Sequence, residues 1–186
     1  MDCYISLFGE PNSKVRLMFM DEAGFGRISE PSYCWCPKGV RPVVPSHRVR
    51  EYVYAYGAVD PINGDGYYIV APKCNTQWTN EFLKLCSERF KNDYILMCTD
   101  NASWHKSKML NIPENIYFHY LPPYTPEMNP IEQIWKEVRK DGFKNFMFNS
   151  LDCVVDKLSN SLMSINDNTI KSICGRNWIV SMFNGK

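Results

Sequence analysis

The sequence predicts an α/β fold, a mixed β-sheet of about five strands flanked by α-helices. Three observations carry that prediction. The apolar runs "KVRLMFMD" and "DYILMCTD" each close on an aspartate, as buried strands do where a turn begins. Two β-branched and aromatic runs, "EYVYAYGAVD" and "GYYIVAP", flank the turn sequence "PINGDG" and read as an antiparallel hairpin. Segments with helical apolar spacing lie between and after these strands, and a hairpin among crossover units makes the sheet mixed.

Taken in order, the first strand runs from Lys14 to Asp21 and gives way to a glycine-containing turn, which puts Asp21 at its C-terminal end. Residues 33–50 are punctuated by proline and glycine and read as loop or hairpin. After the hairpin strands, residues 76–90 place Trp78, Phe82, Leu85, Cys86 and Phe90 near helical spacing behind Thr76 as the cap. "DYILMCTD" and "IYFHYLP" are two further strands, the first ending on Asp100. In "LPPYTPEMNPIEQIW", three prolines forbid helix before Pro130, where a first-turn proline costs little. With Asn129 as N-cap, Ile131, Ile134, Trp135 and Val138 then form a buried stripe, and residues 151–183 are mostly helical in pattern.

Composition narrows the class. With 45% apolar and 22% charged residues in 186, and no repeat or low-complexity tract, the chain reads as one globular domain over 1–186. There is no signal peptide and no apolar run of about eighteen residues, so no membrane partner is expected. The eight cysteines contain no C-x-x-C pair and no matching histidine pair, which argues against a zinc site. Most, Cys86 and Cys98 above all, read as core residues of a reduced, intracellular protein. The net charge of +1 gives no global argument for nucleic acid, but residues 33–50 carry Lys38, Arg41, Arg48 and Arg50 with no acid. Such a stretch suits phosphate contact, and it equally suits a solvated loop.

The carboxylates carry the chemistry. Asn129 and Glu132 are spaced as in a capping box, so Glu132 alone has an ordinary reading as a helix-end acid. Asp21 and Asp100, however, both close apolar strands, and ligands of open α/β sheets gather outside the carboxyl ends of strands. Three converging carboxylates repel unless a cation neutralises them, and an oxygen-rich site with open positions suits Mg²⁺ or Mn²⁺. Two such ions would serve phosphoryl transfer without a side-chain nucleophile. A glycosidase fits less well, since it needs two acids and a sugar-binding aromatic cleft.

These residues also carry a resemblance. "MDEAGF", "WCPKGVRP", "TDNASWH" and "LPPYTPEMNPIEQIW", in that order, resemble the DDE catalytic domain of the mariner-like transposases, in their bacterial insertion-sequence branch. The resemblance implies an RNase H-like fold and Mg²⁺-dependent (or Mn²⁺-dependent) nicking of double-stranded DNA at element ends, followed by strand transfer to a target. It implies Asp21, Asp100 and Glu132 as the metal-binding catalytic triad, holding two ions, and a homodimer assembled on DNA. Asn101 and His105 match the motif beside the second aspartate, and His105 is a candidate for orienting a metal-bound water or touching phosphate. Glu22 should point to the opposite face of its strand from Asp21. Trp35 is a candidate for stacking on a base or for the core. The family's N-terminal helix-turn-helix region is not represented, and the expected location is the bacterial cytosol and nucleoid, or the nucleus in a eukaryote. Two alternatives stand beside this reading: an inactive or domesticated DNA-binding relative, and an RNase H-like nuclease of different substrate.

Overall fold

The computed structural model describes residues 14–29 and 31–183. Cys3 lies outside them. Five strands form one sheet: β1 (Lys14–Ile28), β2 (Arg48–Val59), β3 (Gly66–Ala71), β4 (Asp93–Thr99) and β5 (Ile116–Tyr120). Their spatial order is β3-β2-β1-β4-β5. β1 runs antiparallel to β2 and parallel to β4, β2 is antiparallel to β3, and β4 is parallel to β5. Helix α1 (Thr76–Arg89) is the crossover between β3 and β4, while α2 (Ile131–Lys140), α3 (Leu151–Ser164), α4 (Asp167–Cys174) and α5 (Asn177–Phe183) follow the last strand.

The pleat of β1 sorts its side chains between two cores. Leu17 and Phe19 join Ile131, Ile134, Trp135 and Val138 of α2 and Val154, Leu158 and Leu162 of α3 on one face. Met18 and Met20 join Phe82, Leu83 and Cys86 of α1 on the other. The predicted stripe of α2 is therefore the buried one. In α1 the inward position belongs to Leu83 rather than Leu85, and the cap is Asn75, whose side chain accepts from the Trp78 N–H, rather than Thr76. Cys86 and Cys98 are buried, as the sequence suggested, and so is Cys174, but most of the described cysteines are not core residues: Cys74 is half-buried, Cys153 is exposed, and Cys34 and Cys36 stand exposed with Trp35 on the loop before β2. Among the described residues no helix is long and apolar enough to cross a membrane.

Two features of β1 depart from the sequence reading. The strand does not stop at Asp21 but continues to Ile28, paired with β2 throughout apart from a bulge between Gly26 and Ile28. Gly24 and Gly26 read as turn residues, yet both lie in the strand, and Gly26 is glycine because a Cβ there would come within 2.4 Å of the Glu51 carbonyl oxygen and the Tyr52 ring. What ends near Asp21 is the neighbour: parallel pairing of β1 with β4 runs from Lys14 to Phe19, and β4 stops at Thr99. Asp21 thus sits beside the carboxyl end of β4 although it is mid-strand in β1.

The opposite end of the sheet is tied by a buried cation. Arg16 of β1 pairs through Nη1 with Asp60 (3.0 Å) and Asp65 and through Nε with Asp93 (2.8 Å). Its guanidinium also stacks 4.5 Å from the Phe90 ring centroid. Asp60, fully buried, further accepts from the backbone N–H groups of Ile62 and Asn63 and so shapes the β2–β3 turn.

Candidate active site

At the carboxyl end of β4 lies a cavity of about 400 Å³ lined by Asp21, Asp100, Asn101, Asn129, Glu132 and the proline-rich segment 121–126. Each acid arrives from a different element. Asp21 points to the α2 face of β1, and its Oδ2 accepts a 2.9 Å hydrogen bond from the Trp135 indole N–H. Gly57 makes that contact possible. It is the register partner of Asp21 on β2, and a Cβ there would come within 2.7 Å of Trp135 Cη2 and 2.8 Å of the Tyr68 ring. Gly57→Ala is accordingly expected to displace the indole and cost about 1–3 kcal/mol, the usual range for overpacking. Denaturant unfolding measures the cost and the Trp135 indole N–H resonance the displacement; an unchanged midpoint with an unmoved resonance would refute the prediction.

Asp21 is strained electrostatically. Burial, then the charges of Glu22 and Glu132, push its carboxyl up to about 7, against the opposing hydrogen bonds from Trp135 and the backbone. Asp100, half-exposed just after β4, moves the other way. The hydrogen bond from His105 lowers it most, aided by the Ala102 N–H and opposed by partial burial.

Glu132 occupies the first turn of α2, but not as a capping-box partner. The N-cap is Pro130, with no side-chain cap bond. Asn129 instead spends its side chain on tertiary structure: Nδ2 donates 2.9 Å to the Met20 carbonyl, and the buried Oδ1 has no partner among the described residues. The reciprocal capping expected from the sequence is therefore absent. Freed of that duty, Glu132 lines the cavity.

Of the remaining candidates, His105 is corrected most sharply. It is fully buried on a 3₁₀ turn (Ser103–Lys106), with Nδ1 2.9 Å from Asp100 Oδ1 and 3.0 Å from Thr99 Oγ1, and Nε2 2.9 Å from Glu22 Oε1. Both ring nitrogens are committed, so it is not placed to touch phosphate. Burial alone would lower its pKa, but the bonds and charges of Asp100 and Glu22 raise it to about 9. Glu22 does face away from Asp21, as its position in the strand requires, and it is the far anchor of this histidine. Asn101 lines the cavity and donates to the Leu121 carbonyl, bracing the proline segment. Lys38 and Arg41 stand exposed on the loop, with Arg48 and Arg50 exposed at the start of β2. Tyr124 escaped the sequence reading. It is fully exposed between the cavity's prolines, in the left-handed region at φ 59°, which a non-glycine residue seldom occupies.

The carboxylates surround one cavity but do not close into a ready-made cluster: among the described residues no three His, Cys, Asp or Glu side chains are grouped tightly enough to grip an ion. The donor set is nevertheless all oxygen, and the orphaned Asn129 Oδ1 adds an unsatisfied acceptor beside it, which fits a hard divalent cation.

The strand order, the acids beside the end of β4 and the terminal helices together define an RNase H-like fold of the transposase and integrase type. Within that class the chain belongs to the family described as DDE superfamily endonuclease, whose model matches residues 16–154. A curated relative in Sinorhizobium fredii, the uncharacterized protein y4pE/y4sA, is 33% identical over 105 residues, 56% of this chain and 78% of the relative. Among solved structures, the fold is similar to the Mos1 strand transfer complex (TM-score 0.63, 15% identity, all of this chain and 59% of that one). It is similar also to a pre-cleavage Mos1 transpososome (TM-score 0.65, 13% identity, all of this chain and 60% of that one). The chain thus spans about three fifths of the Mos1 chains it matches.

Proposed function

We infer that this chain is a metal-dependent DNA-cleaving and strand-transfer domain, a transposase catalytic core, in which Asp21, Asp100 and Glu132 hold the metal. The observation that carries this reading is the convergence of the three carboxylates on one open cavity, with Glu132 relieved of capping and Asp21 pushed up to about 7 by burial and like charges. Such an arrangement is costly for the bare fold and suits a site built for a cation. Membership in an endonuclease family supports cleavage, and Mos1 paired-end complexes have been solved with Mn and with Mg, which supports the choice of Mg²⁺ or Mn²⁺.

Bound there, one or two such ions would supply charge neutralisation and a more acidic attacking water or 3′-hydroxyl. The chain's own residues do the positioning. Trp135 fixes one oxygen of Asp21, His105 fixes one oxygen of Asp100, and the rigid start of α2 presents Glu132. The proline segment walls one side of the cavity. Lys38, Arg41, Arg48 and Arg50 supply cationic contacts for a DNA backbone, with exposed Trp35 beside them. Paired-end assemblies of Mos1 support a dimer on DNA.

Nicking of supercoiled plasmid tests the reading. Cleavage is expected with Mg²⁺ or Mn²⁺, none with EDTA, and none for Asp100→Asn at unchanged circular dichroism; nicking that survives EDTA or Asp100→Asn would overturn it. The spread of the acids favours one second reading, a DNA-binding relative without activity. That protein would bind DNA in a salt-sensitive way and cut under no divalent metal.

A further inference from the structure

Glu22 lies outside the cavity, on the opposite face of β1 from Asp21, yet it reaches the site through one side chain. Its carboxylate, 4% exposed, meets His105 Nε2 at 2.9 Å, and the fully buried imidazole meets Asp100 Oδ1 at 2.9 Å through Nδ1. The chain carboxylate–imidazole–carboxylate thus links the middle of β1 to the end of β4, on the face that α1 covers. Both bonds run to carboxylate oxygens, which only accept, so each ring nitrogen donates and the ring orientation is fixed from both sides. His105 is held further by Thr99 Oγ1 and by edge contacts with Trp104 and Phe118. Its own backbone carbonyl accepts from the Tyr120 hydroxyl. Asp100 is more than half exposed, and among the described residues its side-chain hydrogen bonds are those with this imidazole and the Ala102 N–H.

We propose that Glu22 and His105 are positioning residues that hold the Asp100 carboxylate in the orientation needed to ligate the metal, with Glu22 acting from the far face of β1. This rests on the metal reading of Asp100. The physical pattern is that of a ligand oriented by an outer hydrogen-bond partner, whose loss commonly lowers metal affinity or activity about 10–100-fold. A buried ion pair serving stability alone would leave metal affinity unmoved once the fold is intact.

The test is Mn²⁺ binding to the whole chain by calorimetry, joined to ¹⁵N spectra of the three histidines. In the metal-free wild type, both nitrogens of one imidazole are expected to carry slowly exchanging protons, and that resonance should shift on adding Mg²⁺. Glu22→Gln, which keeps the shape of the side chain, is expected to weaken Mn²⁺ binding about tenfold while circular dichroism stays unchanged. His105→Gln should weaken it further, and if that variant fails to fold, Glu22→Gln decides. Wild-type affinity in folded Glu22→Gln would overturn the positioning role alone. Absence of Mn²⁺ binding by the wild type would overturn the metal site itself.

Discussion

Glu132→Gln is expected to abolish metal-dependent nicking and, in the same protein freed of metal, to raise the melting temperature. The two effects have opposite signs because, under the proposed function, the residue serves chemistry at the expense of the fold. Glu132 faces a cavity shared with two other acids and contributes to raising the Asp21 carboxyl to about 7, after burial and Glu22. Removing its charge removes part of that repulsion in a poorly solvated place. Against this stands the favourable interaction of a first-turn acid with the helix dipole, worth about 0.3–1 kcal/mol and screened where the helix end meets water. The net gain is expected to be on the order of 1 kcal/mol, about 2–4 °C for a chain of this size. Activity should fall at least about 100-fold, since losing a ligand should cost no less than losing its outer partner. Calorimetry in EDTA and plasmid nicking read the two effects. A lower melting temperature together with retained cleavage would return Glu132 to the role of an ordinary helix-end acid.

At the other end of the sheet the expected effect falls on stability alone. Arg16→Met should destabilise the protein by about 3–5 kcal/mol, because it strands Asp60, fully buried, and Asp93, mostly buried, without their cation. Methionine replaces most of the packing volume, so the loss reports chiefly the unpaired charge. Adding Asp60→Asn to Arg16→Met should recover part of it: the amide oxygen still accepts from the Ile62 and Asn63 N–H groups, and no charge remains to be buried at that position. Denaturant unfolding of the single and double variants gives the coupling. A single-variant cost below about 1 kcal/mol, the range of an exposed pair, would contradict the account.

The sequence made some of this legible and hid the rest for identifiable reasons. The buried stripe of α2 was readable because Ile131, Ile134, Trp135 and Val138 repeat at the helical period, a purely local signal. The hairpin was readable from its turn chemistry. The end of β1 was misread because Gly24 and Gly26 look like turn residues, whereas Gly26 is required by contact with Glu51 and Tyr52 on the partner strand. Asn129 was misread as a cap because local spacing cannot reveal that its amide is spent on Met20, 109 residues away. The site shows the same division. The three acids could be picked out as strand-end and helix-start residues, but the partners that orient them could not. Glu22 and His105 are 83 residues apart, Asp21 and Trp135 are 114 apart, and no periodicity links residues that meet only in the fold.

Those separations also set a timetable. The β1–β2–β3 ladder can assemble from the first half of the chain, but the indole that steadies Asp21 and the third acid of the cavity, Glu132, arrive only with α2. A chain still emerging from the ribosome, with β1 to β5 made and α2 unfinished, owns two of the three acids and no complete site. Under the proposed function, competence to cut would therefore come late, with the closing of the longest-range contacts.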